Sequence, residues 1–425
     1  MTPYDPSDGE GDPRPARRPA ASIGDVTRRD GSGGDGAPLA AARREEAPGD
    51  GRALLALDRR RFLQAAGFSF AGAAATACSP APVERAIPFL VAPEEVVPGR
   101  SYWMSSTCRA CPAGCGALVK CRDGRPLKLE GNPEHPASRG GLCAVGQASL
   151  LGLYDDHRLA GPLAAGRPAS WAAVDAAIGG ALAAIAARGG RVRLLTETVN
   201  SPTERAAIAR FLARFADGRH VVYDPLSSSP ILAAHARTHG VRALPRYRFE
   251  RAAALVSFDC DFLGTWVSPV EHTAGYRAAR DLSGTPPRLS WHLQLEGRQS
   301  LTGSRADRRV RLLPGEEGLV LSHLAAALAA RAGVAFAAGA LAPAPLPAAV
   351  LADAVERLWA ARGRSLVVSG SDEVAVQVLV NFVNHLLGNY GATLDLEQPS
   401  YQRQGDDAAL AALLAELEGG GPSTR

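Results

Sequence analysis

The spacing of four cysteines is the feature of this sequence that points most directly to chemistry. Cys108, Cys111 and Cys115 stand in a C-x2-C-x3-C run, and Cys143 follows after twenty-seven further residues. Three thiolates on one tight loop can each bind one iron of a cubane, and a returning segment can supply the fourth ligand. Soft thiolates match iron–sulfide chemistry, so the pattern predicts a 4Fe–4S cluster held by these four residues. A structural zinc site and a pair of disulfides are alternative interpretations of the same spacing.

Small and rigid residues among the cysteines fit the cluster interpretation. Pro112, Gly114 and Gly116 let the backbone curl around a cluster and aim amide groups at its sulfurs. Two further cysteines are left out of the site. Cys121 lies in a predicted strand, where a half-buried small apolar residue is its usual role. Cys260 lies in the apolar run ALVSFDCDFLGTW, which is typical of a strand in a core.

The cysteine segment, placed at residues 101–160, is followed by elements that must position it. Within the segment, the turn at Asp123–Gly124 separates two predicted strands. From residue 161 to 425, short apolar runs alternate with segments of helical periodicity, which indicates a parallel sheet with helices on both faces. The predicted strands are Arg191–Leu195, His220–Tyr223, Leu255–Phe258, Val310–Leu313 and Leu366–Val368. The predicted helices are Trp171–Ala187, Ser201–Phe215, Pro230–His239, Glu317–Ala330, Pro347–Arg362, Glu373–Leu387 and Asp407–Glu418. The expected fold is α/β, with a small N-terminal 4Fe–4S module followed by doubly wound, Rossmann-like domains.

The N-terminal segment predicts that the protein is exported across the cytoplasmic membrane. Residues 1–57 are mainly Gly, Pro, Arg, Asp and Ala, so they cannot bury enough apolar surface to offset ordering entropy, and we predict disorder. Residues 58–80 carry Arg59–Arg60, then Phe62–Leu63 and a mildly apolar stretch, which resembles a twin-arginine signal. A basic-headed amphipathic helix is the alternative. Cys78 follows small residues and resembles a lipoprotein processing site, with ordinary cleavage after an Ala-rich stretch as the alternative. We expect the protein at the periplasmic face of the cytoplasmic membrane, lipid-anchored if Cys78 is modified.

Composition excludes one class of partner. The net charge is only +4 over 425 residues, and no basic run interleaves with aromatic residues, so nucleic acid is not expected to bind. The length allows two or three domains, and the 46% hydrophobic content suffices for a sizeable core.

The CRACPAGCG and LCAVGQ segments, with the twin-arginine pattern and the α/β body, resemble the molybdopterin oxidoreductase superfamily over roughly residues 101–410. This resemblance implies a 4Fe–4S domain followed by doubly wound domains of the molybdopterin-oxidoreductase type. In that family these domains hold a molybdenum bis-molybdopterin guanine dinucleotide cofactor. The segments GNPEHPASRGGLCAVGQASLLGLYDDHRL and SFDCDFLGTWVSPVEHTAGYRAAR look most like the molybdopterin-like iron–sulfur subunit of alternative complex III. A quinone reductase complex of sulfate reducers has a similar subunit.

That branch implies electron transfer or a scaffold role, without molybdenum, in a membrane-bound respiratory complex that oxidises quinol. Its partners would be ferredoxin-like iron–sulfur, haem c and quinol-binding membrane subunits. The subunit in that complex continues into a ferredoxin-like half. Because no C-x2-C-x2-C-x3-C-P run occurs in residues 144–425, we expect a truncated product or one half of a split subunit. The alternative function is a catalytic molybdenum oxidoreductase for a small inorganic substrate such as polysulfide or an oxyanion.

Three departures from the catalytic pattern favour the branch without molybdenum. Val145 stands where catalytic members usually carry Lys or Arg. Ser227 falls about where a molybdenum ligand would lie, although serine at the start of a helix is the commoner reason for it. Asn200 and the helix start at Ser201 could receive a phosphate, but the glycines that close a backbone on a pyrophosphate are missing.

Other polar residues carry weaker signals. His235 and His239 lie four apart on one predicted helix and could bind a metal together, but a solvated helix face is the favoured interpretation. Glu134–His135 is expected to shape its loop. Asp259, Asp261 and Glu271 flank a strand end where α/β sheets bind ligands, and we expect packing and loop-capping roles there. Trp266 fits a core or an interface.

Overall fold

The computed structural model describes residues 96–337 and 339–419. The predicted disordered segment, export signal and Cys78 lie outside these residues. The chain is mixed α/β, as predicted. No helix in the described ranges is long and apolar enough to cross a membrane.

The N-terminal part is a three-stranded antiparallel sheet in the order β1–β2–β3. Its strands are β1 (Tyr102–Thr107), β2 (Gly116–Arg122) and β3 (Arg125–Gly131). The predicted turn joins β2 to β3, with Asp123 and Gly124 both at positive φ. Two of the three strands were predicted, and β1 was not.

A short helical segment and a hairpin connect this sheet to the rest of the chain. The helix α1 (Ala144–Ala148) runs into a 3-10 turn at Ser149–Leu153, and β4 (Leu163–Ala164) pairs with β5 (Arg167–Pro168). The alanine-rich helix α2 (Trp171–Ala187) then starts at Ser170, whose side chain accepts a hydrogen bond from the amide of Ala173.

A two-stranded parallel sheet follows, formed by β6 (Arg191–Thr196) and β7 (Asp217–Val222). Between them, helix α3 (Pro202–Leu212) begins where predicted. Ser201 caps it by accepting from the amide of Glu204, and proline occupies the first turn. The helix is shorter than predicted and ends at Leu212.

The largest sheet has four parallel strands in the order β11–β10–β9–β12. They are β9 (Ala254–Phe258), β10 (Trp291–Glu296), β11 (Arg308–Arg311) and β12 (Ser365–Ser369). In β9, β10 and β12, side chains on both faces are buried, as is usual for parallel sheets. One face packs on α6 (Glu317–Ala332), α7 (Ala348–Ala360) and α8 (Val374–Leu386). The other face belongs to a second apolar core, so the expected coverage of the sheet on both faces is confirmed.

The second core contains three elements that the sequence analysis did not predict. Helix α4 (Ser229–His239) was expected, but helix α5 (Pro269–Ala279) and the antiparallel pair of β8 (Leu244–Tyr247) with β13 (Leu394–Ser400) were not. Helix α9 (Asp407–Glu418) completes the described chain, with the bounds that were predicted.

Candidate iron–sulfur site

The first three cysteines lie on the loop that connects β1 to β2. Thr107 and Gly116 are paired across the two strands, so residues 108–115 form the end of a hairpin, here called the cluster loop. The amide of Cys108 donates to the carbonyl of Cys115 at 2.8 Å and closes the loop. Gly114 has φ of 59°, a conformation that favours glycine. The local sequence therefore gathers Cys108, Cys111 and Cys115 on one tight turn, as the spacing predicted.

Cys143 returns to this loop from the segment after β3. Its Sγ accepts a hydrogen bond from the amide of Gly146 at 3.4 Å. Gly146 also lies against Cys108, because a Cβ on Gly146 would be 3.4 Å from the Cys108 Sγ and 2.6 Å from Cδ1 of Leu142. The absence of a side chain at Gly146 thus lets the first and fourth cysteines approach the same space.

The pKa of Cys115 reflects its burial and the three other cysteines near it. Burial raises the pKa of Cys115 to about 11, and the charges of Cys111, Cys108 and Cys143 contribute to the rise. Binding to iron requires the thiolate form, so a cluster would displace the proton that the buried thiol otherwise keeps. The donor set, with four sulfurs from a tight hairpin and a returning segment, fits a 4Fe–4S cluster.

Two other observations bear on the alternatives. All six cysteines in the described residues are free of disulfides. Within residues 96–337 and 339–419, no three His, Cys, Asp or Glu side chains are grouped so that they could hold one metal ion.

Cys121 and Cys260 are both buried, at 8% and 0% exposure. The predicted core position of Cys260 is confirmed, and Cys121 is more buried than the half-buried position expected for it.

The segment between β3 and Cys143, residues 132–142, is here called the return loop, and it is held by its own polar groups. The carbonyl of Asn132 accepts from the amides of His135 (3.2 Å) and Gly140 (2.9 Å). The Nδ1 of His135 accepts from the amide of Ser138 at 3.1 Å, and the buried Ser138 hydroxyl accepts from the amide of Gly116 at 3.2 Å. Ser138 therefore ties the return loop to the start of β2, and His135 holds Ser138 in place.

A cleft of about 900 Å³ opens beside Cys108 and Cys111, and we call it the cluster cleft. Its walls come from the cluster loop, the return loop, the segment after β6 and the region at the end of β13. The last two contribute Thr196–Ser201 and Glu397–Gln402, and Glu204, Arg246 and Glu271 complete the walls. No local signal pointed to Arg246 or to residues 397–402, because they reach the site only through the pairing of β8 with β13.

The charges of the cluster cleft largely satisfy one another. Arg109 pairs with Glu204 at 3.3 Å, and Arg246 pairs with Glu271 at 2.9 Å. These are the only Lys or Arg residues among the described lining residues, whose remaining carboxylates are those of Glu197 and Glu397. Neither of these two carboxylates forms an ion pair with another described residue. The cleft is therefore acidic around the cysteine loop.

The candidate phosphate-binding position lies in the wall of the cluster cleft but is already engaged. The side-chain amide of Asn200 donates to the carbonyl of Pro112 in the cluster loop. The Ser201 hydroxyl is used as the cap of α3. These two contacts join the segment after β6 to the cysteine hairpin.

Ser227, the candidate molybdenum ligand, is not among the described residues that line the cluster cleft. Its Oγ donates to Asp407 Oδ2 at 2.8 Å and accepts from the amide of Ser229 at 3.0 Å. The hydroxyl thus joins the start of α4 to the first turn of α9.

The two histidines of α4 correct one expectation. His235 is 2% exposed, so the predicted solvated face is wrong at this position. Its Nδ1 lies 2.9 Å from the carbonyl of Ile231, and its Nε2 lies 3.2 Å from the hydroxyl of Tyr390. The side of α4 that carries His235 faces the second core, and burial lowers the pKa of His235 to about 4. His239, one turn later, is only partly buried.

The acidic residues near the end of β9 separate into different roles. Asp261 accepts from the amide and hydroxyl of Thr302, at 3.1 and 2.8 Å, and so caps a loop as expected. Asp259 and Asp261 line a smaller cavity of about 310 Å³ at the carboxyl edge of the large sheet. Glu271, by contrast, reaches the cluster cleft. Trp266 packs against Tyr247 and His272 in the second core.

Comparison with known proteins places the cysteine segment in a family. Residues 102–155 match the model of the molybdopterin oxidoreductase Fe4S4 domain, so this part of the chain is similar to the iron–sulfur domain of those proteins.

Three curated relatives match short segments. A menaquinone reductase, molybdopterin-binding-like subunit of Nitratidesulfovibrio vulgaris is 37% identical over 67 residues, 16% of this chain and 10% of that protein. A periplasmic nitrate reductase of Campylobacter fetus is 34% identical over 107 residues, 25% of this chain and 11% of that protein. A sulfite dehydrogenase component of Allochromatium vinosum is 38% identical over 65 residues, 15% of this chain and 7% of that protein.

The matched part of the chain thus spans about a tenth of the length of these relatives. Among solved structures, acetylene hydratase from Pelobacter acetylenicus superposes with a TM-score of 0.48 and 12% identity. The superposition covers 66% of this chain and 42% of the hydratase.

Proposed function

We propose that this chain is an exported iron–sulfur subunit that carries electrons, or serves as a scaffold, in a membrane-bound respiratory complex that oxidises quinol. Cys108, Cys111, Cys115 and Cys143 would hold its 4Fe–4S cluster, which supplies one-electron chemistry. Its partners would be ferredoxin-like iron–sulfur, haem c and quinol-binding membrane subunits, as in alternative complex III.

The observation that carries this proposal is the charge of the cluster cleft. A bis-molybdopterin guanine dinucleotide brings pyrophosphate groups, which proteins hold with unpaired cations, glycine-rich backbone or free helix N-termini. The two arginines of the cleft are paired with its own glutamates, and Glu197 and Glu397 add uncompensated negative charge. The Arg246–Glu271 pair is well shielded, so separating it for a phosphate would cost more than separating an exposed pair. The residues described around this cleft do not fit the anionic cofactor.

The names of the relatives are compatible with the proposed subunit and also with the alternative enzyme. The menaquinone reductase subunit is named molybdopterin-binding-like, and its name places it in a quinone-reacting enzyme. The alternative, a molybdenum oxidoreductase for a small inorganic substrate, is supported by the names of the nitrate reductase and the sulfite dehydrogenase. In that alternative, Ser227 would be the metal ligand.

Elemental analysis of the anaerobically purified protein tests the proposal. About four irons and four sulfides per chain, with no molybdenum, are expected from a single cubane. Stoichiometric molybdenum, lost in Ser227→Ala with iron retained, would instead establish the alternative.

Two cysteine variants check the ligand assignment. Cys111→Ser should lose the cluster, whereas Cys121→Ala, in the adjacent strand, should keep about four irons per chain. Loss of iron in both variants would contradict the assignment. For the complex, native gel electrophoresis of detergent-solubilised membranes should find the chain in a large assembly, and a free monomer there would count against the proposed role in a complex.

A further inference from the structure

The return loop binds the residue that follows the third cysteine. Gly116 comes directly after Cys115 and is the first residue of β2. Its carbonyl accepts from the amide of Asn132 at 2.9 Å, and its amide donates to the Ser138 hydroxyl at 3.2 Å. The side chain of His135 packs on the same residue, since a Cβ on Gly116 would be 2.5 Å from the Cβ of His135. The return loop thus binds both backbone polar groups of Gly116 and occupies the space of its missing side chain.

The hydrogen bonds of Ser138 fix the tautomer of His135. A backbone N–H can only donate, so the Nδ1 of His135, 3.1 Å from the amide nitrogen of Ser138, is the acceptor and carries no proton. The proton of the neutral ring is therefore on Nε2. The Ser138 hydroxyl lies 3.0 Å from the same Nδ1. Because this hydroxyl already accepts from the amide of Gly116, its own proton is donated to Nδ1, which orients the hydroxyl oxygen toward Gly116.

Ser138 also contacts the turn that leads to the fourth cysteine. Its carbonyl accepts from the amide of Gly141 at 2.7 Å, two residues before Cys143. A Cβ on Gly141 would be 2.5 Å from Cγ1 of Val270 in α5, so this turn lies directly against that helix. Ser138 is 2% exposed, and loss of its hydroxyl would leave the buried amide of Gly116 without an acceptor. One buried serine thus joins the residue after the third cysteine to the turn before the fourth.

We propose that Ser138 and His135 are positioning residues for the iron–sulfur cluster. His135 orients the Ser138 hydroxyl through Nδ1, and Ser138 holds Cys115 and Cys143 in place relative to each other. The inference rests on the proposed function only in its assignment of a cluster to the four cysteines, and it adds two residues that act through those ligands. Groups that orient metal ligands in this way commonly contribute about 10–100-fold to metal affinity.

Asparagine and glutamine distinguish the two ring nitrogens of His135. The side-chain oxygen of asparagine can occupy the position of Nδ1, whereas that of glutamine corresponds to Nε2. If His135 acts through Nδ1, His135→Asn keeps an acceptor for Ser138 and His135→Gln loses it. His135 also lines the cluster cleft, and a role there through Nε2 would give the reverse order.

The rate of iron release measures how firmly the cluster is held. The anaerobically purified, cluster-loaded protein is mixed with an excess of the ferrous chelator bathophenanthroline disulfonate, and the absorbance of the iron complex is followed with time. Ser138→Ala and His135→Gln should release iron about 10-fold faster than the unmodified protein, whereas His135→Asn should stay within about twofold. The electron paramagnetic resonance spectrum of the reduced cluster should be unchanged in His135→Asn and altered in Ser138→Ala.

His323 provides the matched control. It lies on α6, outside the cysteine module, and its Nε2 is 2.8 Å from the carbonyl of Ala342. His323→Asn and His323→Gln make the same two exchanges of side chain, and both should release iron at the rate of the unmodified protein.

The outcomes separate this inference from the proposed function. An unmodified protein that binds no iron would overturn the cluster assignment and the inference together. About four irons in the unmodified protein, with equal release from His135→Asn and His135→Gln, would leave the proposed function in place and overturn the inference. Faster release from His135→Asn alone would assign the role to Nε2 and would also overturn it. If Ser138→Ala retains no cluster after purification, the inference is supported when His135→Asn still holds its iron and is overturned when both variants have lost it.

Discussion

The cysteine module and the four-stranded parallel sheet are built on opposite principles. Both apolar cores of the described chain consist of residues between Ile231 and Leu394, around the large sheet. In residues 96–160, the buried apolar residues are Pro112, Cys115, Ala117 and Cys121. The sheet region therefore has enough buried apolar surface to hold itself together, while the module depends on loop hydrogen bonds and on whatever its cysteines bind.

This difference shows where a cofactor contributes to folding. Small units that cannot bury a core commonly rely on metals or disulfides for stability. In the module, one candidate ligand, Cys115, is itself one of the few buried apolar residues, so the cluster site and the small core meet at this position. In the sheet region, by contrast, most of the residues that line cavities are distinct from those that form the core.

The largest effect should follow from removing the cluster. In Cys115→Ser, backbone amides of residues 102–155 should exchange with deuterium at rates close to those of an unfolded chain, because the module has little apolar burial to replace the lost ligand. The amides of β9, β10 and β12 should stay protected. Hydrogen-exchange mass spectrometry measures both regions in one sample, and protected amides in an iron-free module would show that the module folds without its cluster.

A core truncation should produce the complementary result. Leu293 is 1% exposed in the first core, so Leu293→Ala should cost about 2–5 kcal/mol of unfolding free energy. Urea denaturation followed by circular dichroism gives this value, and the iron content per folded chain should not change. Leu282→Ala, at an exposed site, should fall within about 0.5 kcal/mol of the unmodified protein. Equal losses in the two variants would show that the sheet region is not held by this core.

Acid should weaken the sheet region before its ion pairs are protonated. Burial lowers the pKa of His272 to about 3, against an ordinary value of 6.5. The unfolded chain therefore takes up a proton at this residue below about pH 6.5 while the folded chain does not, so stability falls as the pH falls from about 6.5 towards 3. At about pH 5 the loss from this one residue is about 2 kcal/mol.

His272→Phe is the variant that checks the acid prediction. Its unfolding free energy should fall less between about pH 7 and about pH 5 than that of the unmodified protein, as measured by urea denaturation at each pH. An identical pH slope in both proteins would assign the acid sensitivity to other groups.

The smallest effects are expected at the ion pairs of the cluster cleft. Arg109 is 79% exposed in its pair with Glu204, so Arg109→Ala should cost less than about 1 kcal/mol. Arg246→Ala leaves Glu271, 12% exposed, without its cation and should cost more. Thermal unfolding of the two variants orders the costs, and the reverse order would mean that burial does not decide them.

Much of the α/β alternation followed from local pattern. Helices α2 and α9 have their predicted bounds because each carries its own start signal, a side-chain cap at Ser170 and at Asp406. The tight loop of the first three cysteines was also predictable, since their spacing and Gly114 are local features, whereas strand β1 before it was not. The residues that complete the cluster cleft were not predictable, because Arg246 and Gln398 are brought there by the pairing of distant strands.

Strand β10 is a central strand of the large sheet that the sequence analysis did not predict. It reads WHLQLE, and the alternation of polar and apolar residues is typical of a strand with one wet face. In the structure both faces are buried. Leu293 and Leu295 enter the first core, while the polar side chains on the opposite face satisfy each other. Pattern alone cannot distinguish solvent from buried hydrogen-bond partners.

The buried polar side chains of β10 determine the register in which this strand pairs with β9. His292 contacts the Tyr276 hydroxyl at 3.1 Å and Gln294 at 3.1 Å, Gln294 donates to Glu296 at 3.1 Å, and Arg309 donates to Glu296 at 2.5 Å. A slip of one residue against β9 would turn these side chains into the apolar core and leave each without its partner. A shifted pairing of β10 would therefore cost folding free energy, because it would bury these polar groups without partners. Only the observed register satisfies all of them.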